Sequence, residues 1–322
     1  MATERMRGGI DLGGTKIQAV VAGADHRVLG QARRETPATG GPPDVVEALA
    51  GALREAAAQA GIATDQLAGV GVGAPGAIDA TAGTLARAGN LPGWREPYPL
   101  AGELGARLGA EVRLGNDVQV ATDAEIALGA ARDVRSLLGV FWGTGVGGGI
   151  VLDGRPWLGR GAAGEIGHVV VQPGGERCPC GRIGCLEAYA GRRAMEDRAR
   201  RARDAGEPTD LFAIAQERGR DRLTAGVWAR ALKREDPVAT RLVADAVTAL
   251  GVGVASACNL LDVEAVVIGG GVGVKLGEPY AERIRAAMLP HLFADDRPPA
   301  VRVAELGDLG GALGAALLVE AA

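Results

Sequence analysis

The densest chemistry in the chain lies between Gly164 and Glu187. Gly164-Glu165-Ile166-Gly167-His168 is followed by Cys178-Pro179-Cys180-Gly181-Arg182-Ile183-Gly184-Cys185-Leu186-Glu187. Three thiolates and one imidazole are the ligand set of a closed tetrahedral zinc site. The paired Cys178 and Cys180 bracket the metal, and the glycines between Cys180 and Cys185 let the chain turn back for the third sulfur. The plainer alternative is a group of buried reduced cysteines, and their density in a polar, glycine-rich loop argues against it. With no open coordination position such a zinc is structural. It pins a loop carrying Glu165 and Glu187, two carboxylates suited to sugar hydroxyls. Cys258 lies in an apolar helical run and is expected in the core.

Two further constellations carry oxygen chemistry. In Asp11-Leu12-Gly13-Gly14-Thr15-Lys16 a glycine turn lets backbone N–H groups approach phosphate oxygens, and Thr15 adds a hydroxyl donor. Asp11, at the strand end, is placed to hold Mg²⁺ directly or through water. A plain hairpin turn is the competing reading. The pattern is neither a GxxxxGK[ST] loop nor a GxGxxG fingerprint. A second glycine-rich loop, Gly143–Gly149 with Thr144 and Gly145, strengthens the phosphate reading. Gly115-Asn116-Asp117 then places a carboxylate at the end of a buried strand. Phosphoryl transfer to an alcohol needs one carboxylate within reach of the attacking hydroxyl. Asp117 suits that role, and it equally suits the N-cap of the helix that follows.

The elements that must position these residues follow from periodicity. Arg7–Val21 reads as strand, glycine turn, strand, and Pro42–Gly61 as a helix with Gly61 at its C-cap. Leu67–Gly73 and Glu111–Leu114 read as strands, Val118–Ala131 as a helix, and Phe141–Leu152 as a second strand–glycine loop–strand. Each glycine unit then reaches a turn, Ala22–Asp25 or Asp153-Gly154, and a third strand, which predicts a duplicated α/β unit. Helices are expected over Arg192–Asp204 and Leu223–Leu261, broken at Pro208 and Pro237. Val263–Ile268 is a buried strand closed by Gly269-Gly270-Gly271, and Gly310–Glu320 is a last helix.

Bulk properties limit the function. The 322 residues suit two domains, and 47% hydrophobic content provides a core. Only 3% of residues are aromatic while 52 are glycine, so the core is built from small aliphatic side chains. A net charge of −4 gives no basic face for nucleic acid. Residues 1–9 carry no apolar stretch of signal-peptide length, and Val263–Gly273 is too short to span a bilayer, so a cytoplasmic protein without membrane or nucleic-acid partners is expected.

Taken in order, Asp11–Lys16, Gly73-Ala74-Pro75-Gly76, Asn90-Leu91-Pro92-Gly93-Trp94, Asn116-Asp117, Gly143–Gly149, Glu165–His168, Cys178–Glu187 and Gly269–Gly271 resemble the ROK family (repressors, open reading frames and kinases), in its bacterial glucokinase-like branch. The resemblance runs from about Gly8 to Ala316. It implies a two-domain, actin-like ATPase fold of the ribonuclease H type with a cleft between the domains. Residues 1–116 plus 305–322 would form the small domain and 117–304 the large one. It implies Asp117 as general base, with Asn116, Asp117, Glu165, His168 and Glu187 binding sugar. His168, Cys178, Cys180 and Cys185 match the zinc ligands. Asp11, Gly13, Gly14, Thr15, Lys16, Thr144 and Gly145 match the phosphate side, and Gly270-Gly271 the loop under the nucleoside.

The activity so implied is transfer of the γ-phosphoryl group of Mg-ATP to the 6-hydroxyl of a hexose, with glucose first. Mannose, fructose, N-acetylglucosamine and N-acetylmannosamine are the other substrates, and polyphosphate is an alternative donor. A homodimer or homotetramer is implied as well. A sugar-responsive regulator is the competing class, disfavoured because the first strand begins near Gly8 and leaves no room for a DNA-binding domain ahead of it. Two residues depart from the family pattern. Trp142 stands where a smaller residue is expected and is read as crowding a cleft rim, and Asp123 stands where an apolar one is expected. Glu125 falls where an acidic residue is expected.

Overall fold

The computed structural model describes residues 6–89 and 91–319. It divides into two compact units: residues 1–132, 158–161 and 305–322, and residues 133–157 and 162–304.

In the first unit, β1 (Arg7–Leu12), β2 (Lys16–Ala22) and β3 (Val28–Glu35) form an antiparallel meander. Helix α1 (Pro42–Gln59) follows and ends as expected, with Gly61 just beyond it at a φ of 74°. Strand β4 (Val70–Ala74) pairs parallel to β1. A small hairpin, β5 (Ala77–Asp79) and β6 (Thr84–Ala86), and helix α2 (Leu100–Leu108) lead to β7 (Val112–Asn116), parallel to β4. Helix α3 (Asp117–Ala127) starts directly at the strand end. The sheet order is β3-β2-β1-β4-β7.

The second unit repeats this plan. Strands β8 (Leu137–Trp142), β9 (Val146–Leu152) and β10 (Arg155–Pro156) form the meander. Helices α4 (Leu186–Ala190), α5 (Arg192–Asp204), α6 (Leu211–Glu217), α7 (Ala225–Lys233) and α8 (Pro237–Leu261) follow. Then come β11 (Ala265–Gly269), α9 (Gly270–Leu276), α10 (Glu278–Met288) and β12 (Ala300–Val303). The order β10-β9-β8-β11-β12 matches the first sheet strand for strand, with the same antiparallel and parallel pairings. The duplication read from two glycine turns therefore extends to whole sheets.

Helix α8 is 25 residues long and apolar enough to match a membrane span by length and composition, more so than Val263–Gly273. Two thirds of its most apolar window is nevertheless buried, as the central core helix of the second unit. Its start obeys local chemistry: Pro237 occupies the first turn, and the Asp236 carboxylate accepts from the Ala239 N–H at 2.8 Å.

The last helix, α11 (Gly310–Leu317), belongs to the first unit. It lies so close to β4 and α3 that a Cβ at Gly71 would overlap the Ala315 carbonyl, and one at Gly314 the Val120 carbonyl. That backbone-to-backbone packing places α3 with the first unit, so the contact division falls after Arg132 rather than after Asn116. Glu125, buried on α3, reinforces it. Its carboxylate accepts from the N–H groups of Ala130, Glu305 and Leu306 at 2.8, 3.1 and 3.0 Å, which fixes the segment leading into α11.

Candidate active site and metal centre

In the first unit the glycine turn joins Leu12 to Lys16. The Gly13 N–H donates to the Lys16 carbonyl at 2.9 Å, and Thr36 fixes the turn from β3's end. The Thr36 hydroxyl donates to the Gly13 carbonyl at 2.7 Å and its N–H to the Thr15 carbonyl at 3.2 Å. Gly14 and Thr15 are exposed at the tip, as a phosphate-facing turn requires. Lys16 is held by Asp308 at 3.0 Å, a partner 292 residues away with no local signal in the sequence.

Asp11 sits at the C-terminal end of β1 with its carboxyl against Gly311. Burial pushes its pKa up to about 6; the negative charge of Asp117 adds to this, Lys16 opposes it, and Asp308 contributes a further rise. Three carboxylates face the Lys16 ammonium and, at the edge of the site, Arg33, which is 3.9 Å from Asp308; the excess of negative charge is the electrostatic requirement for a divalent cation.

At the end of β7 the two readings of Asp117 separate. The helix is capped by Asn116, whose Oδ1 accepts from the N–H groups of Val118 and Gln119, both at 3.1 Å. Asp117 occupies the first helical position, and its Oδ1 accepts from the Val118 N–H at 2.9 Å. The capping role thus belongs to Asn116, leaving its amide N–H groups as the part suited to a substrate hydroxyl. Asp123 lies nearly two turns further along α3 and accepts from Gln119 Nε2 at 2.7 Å; burial pushes its pKa up to about 7. Asn90 lies outside the described residues. Its neighbours Leu91 and Trp94 are buried, and the Trp94 ring meets Tyr98 edge-on at 5.4 Å, so that part of the stretch acts as an anchor.

In the second unit the corresponding turn joins Trp142 to Val146, closed by the Gly143 N–H on the Gly145 carbonyl at 3.0 Å. The loop is shorter than Gly143–Gly149, because Gly147, Gly148 and Gly149 are in β9, paired with Phe141, Val140 and Gly139. Trp142 does not crowd a rim. It occupies the position of Leu12 in the repeat; both are fully buried, and its indole N–H donates to the Ala190 carbonyl at 2.6 Å. Gly269–Gly271 is not a loop either: α9 begins at Gly270, whose φ of 76° sets it against the Trp142 backbone. Gly271 lies next to Gly143, so the expected phosphate and nucleoside positions of this unit adjoin.

His168, Cys178, Cys180 and Cys185 converge, their ligand atoms all within 4.8 Å of one another. Cys180 Sγ is 3.8 Å from Cys185 Sγ, and Cys178 Sγ is 3.8 Å from His168 Nδ1. A tetrahedral ion with metal–sulfur bonds of about 2.3 Å needs sulfurs about 3.8 Å apart, so the residues fit zinc. The thiols are far from equivalent. Burial pushes Cys178 up to about 12. For Cys180 burial works in the same direction but is outweighed by hydrogen bonds from Arg182 and the neighbouring thiols, which bring it down to about 6. Cys258 stands apart in the core, where burial pushes it up to about 12.

With Nδ1 toward the thiols, His168 Nε2 faces Glu165, 3.8 Å away on a 3₁₀ turn spanning Ile166–His168. Glu187, on the first turn of α4, points one oxygen at the glycine turn. Its Oε2 accepts from the Val146 N–H at 2.9 Å and occupies the space a side chain at Gly145 would need. Sequence reasoning missed the rest of this junction. Arg192 donates its N–H to the Gly143 carbonyl and Arg193 to the Thr144 carbonyl, both at 3.1 Å. The Arg192 guanidinium reaches Thr144 Oγ1 at 3.0 Å. The metal loop and the glycine turn are therefore one connected structure. A cavity of about 620 Å³ behind the loop, lined by Gln172, Glu176, Tyr189, Arg198 and Asp245, includes none of the expected substrate residues.

The ROK family profile matches residues 7–322. The glucokinase of Thermotoga maritima is 31% identical over 316 residues, 97% of this chain and 96% of the relative. The ROK hexokinase structure from Thermus thermophilus is 37% identical with a TM-score of 0.78, covering 97% of both chains. A ROK family glucokinase from Streptomyces griseus, solved with glucose and AMPPNP, is 32% identical with a TM-score of 0.82, covering 98% of this chain and all of the other. By profile, sequence and actin-like fold, this chain belongs to the ROK family.

Proposed function

We propose that the protein is an ATP-dependent hexose kinase acting on glucose at the 6-hydroxyl. The observation that carries this reading is the Glu187 junction. One carboxylate, two residues beyond a cysteine of the metal cluster, holds the glycine turn that would face phosphate, which suits a protein handling a sugar and a phosphoryl donor together. The similarity to glucokinases over nearly the whole chain supports the same substrate class.

In this mechanism Asp117 accepts the proton of the 6-hydroxyl as its oxygen bonds to the γ-phosphorus. The bond from that phosphorus to the bridging oxygen breaks, and ADP leaves with the electron pair. Glu165, His168 Nε2, the Asn116 amide and Glu187, whose Oε1 lies 4.0 Å from Cys178 Sγ, hold sugar hydroxyls. The turns at Gly13–Thr15 and Thr144-Gly145 receive phosphate oxygens, with Gly270-Gly271 beside the nucleoside. Mg²⁺ carried by ATP supplies charge neutralisation, and Asp11 is the carboxylate suited to hold it. His168, Cys178, Cys180 and Cys185 would hold zinc in a structural role, which would fix the tautomer and orientation of the His168 ring.

A cytoplasmic enzyme that self-associates completes the reading. Exposed Leu260 and Phe293, on segments tied together by Asn259, are apolar surface that such an assembly would cover. The test is an ADP-release assay with Mg-ATP against glucose, mannose, fructose, N-acetylglucosamine and N-acetylmannosamine. A glucose rate at least about tenfold above the others, about 1.4 kcal/mol of transition-state discrimination, is expected. Faster turnover of another sugar replaces glucose as the substrate. No turnover of any by folded, metal-loaded protein overturns the kinase reading.

A further inference from the structure

The second glycine turn contains no charged residue of its own, yet arginine surrounds it. Arg192 Nη2 donates to Thr144 Oγ1 at 3.0 Å and Nη1 to the Leu223 carbonyl at 3.2 Å. Because Thr144 Oγ1 accepts from Arg192, its own O–H is left to donate outward from an exposed position. Arg193 is the second residue of α5, and its backbone N–H holds the Thr144 carbonyl. Arg222 precedes the Leu223 carbonyl that Arg192 grips.

Countercharge is scarce. Glu196 lies 4.0 Å from Arg192, but its oxygens already accept from Arg200 at 2.6 Å and from the Leu223 N–H at 3.2 Å. Burial lowers the Arg192 pKa; Glu196 opposes that, and the positive charges of Arg222 and Arg193 add to it, so each of these two lies close enough to Arg192 to repel it. Holding like charges together around an exposed hydroxyl is unfavourable without an anion.

We propose that Arg192, with Arg193 and Arg222 beside it, binds the phosphoanhydride chain of the phosphoryl donor at Thr144. The proposal deepens the kinase reading and rests on it for the identity of the ligand as a donor. A guanidinium presents a planar pair of N–H donors matched to phosphate oxygens, and such charge-assisted bonds are about twice as strong as neutral ones. The same chemistry serves a nucleoside triphosphate and inorganic polyphosphate.

The experiment is calorimetry on metal-loaded protein with three probes: inorganic tripolyphosphate, long-chain polyphosphate and Mg-AMPPNP, with glucose binding as the control. Arg192→Met is expected to weaken tripolyphosphate at least about tenfold while glucose affinity stays within about twofold, with Arg192→Lys recovering part of the loss. The double variant Arg193→Ala/Arg222→Ala, at exposed positions, is expected to weaken tripolyphosphate about threefold or more. Equal losses for AMPPNP and tripolyphosphate identify a nucleotide as the donor held there, and losses for tripolyphosphate and long chains with AMPPNP unchanged identify polyphosphate. Folded Arg192→Met that binds tripolyphosphate like the wild type overturns the proposal and leaves Arg192 as a strut of the turn. If that variant does not fold, unchanged binding by the double variant overturns it equally. Arginine-dependent tripolyphosphate binding in a chain that turns over no hexose would remove the kinase reading and leave this site standing.

Discussion

The two glycine turns are the same structure built twice and supported in different ways. Each links the first two strands of its sheet, β3-β2-β1-β4-β7 or β10-β9-β8-β11-β12, with a fully buried residue, Leu12 or Trp142, before the turn and an exposed threonine at the tip. The first turn is held by Thr36 from its own meander, and charge sits within it as Asp11 and Lys16. The second is held from outside, by Glu187 and the α4–α5 junction that follows the metal ligands. One frame thus serves two tasks. Asp11 and Asp117 lie in the first unit, and in the second the segment bearing His168 and the three cysteines leads into the junction that holds its turn.

Removing the metal tests this asymmetry with the largest expected effect. Chelation under reducing conditions should lower Tm by at least about 10 °C, because a structural metal contributes folding free energy directly. It should also abolish both glucose and AMPPNP binding, measured by calorimetry alongside metal content. Retained AMPPNP affinity in metal-free, folded protein would break the link between the loop and the second turn.

Glu187→Gln probes the same link more gently. The amide oxygen can still accept from the Val146 N–H but without charge assistance, a loss of about 1–1.5 kcal/mol. KM for both glucose and ATP should therefore rise about tenfold. A rise for glucose alone would confine Glu187 to the sugar.

Much of this was legible beforehand, and what was not has physical causes. The clustering of His168 with Cys178, Cys180 and Cys185 was readable because metal-ligand sets follow a short characteristic spacing, and the strand–turn–strand units because each is local. Thr36, Arg192 and Asp308 were hidden because their partners Gly13, Thr144 and Lys16 are 23, 48 and 292 residues away. Trp142 was misjudged for a similar reason. A bulky residue beside a glycine turn reads as an obstruction until the repeat shows that its position points into the core, as Leu12 does. The helix beginning at Gly270 was missed because a glycine run signals a loop when no packing partner is known.

The smallest effect separates the carboxylates of α3. Burial holds Asp123 in its protonated form up to about pH 7, so its contribution to stability is present below the unfolded carboxyl range and is lost as pH rises through about 7. Asp123→Asn should raise Tm by about 2–4 °C at pH 8, with the gain shrinking toward pH 4. A gain that is independent of pH would mean that Asp123 is not titrating in the folded protein.

The most direct test of the account is Asp117→Asn, assayed for ADP release and titrated with glucose in parallel. Asn keeps the shape of the side chain at the start of α3 but cannot take the hydroxyl proton, and Asn116 still caps the helix. Turnover should fall by about 10³-fold or more while glucose affinity stays within a few-fold of the wild type. Substantial turnover in this variant, or loss of glucose binding with the fold intact, would contradict the assignment of the chemical step to Asp117.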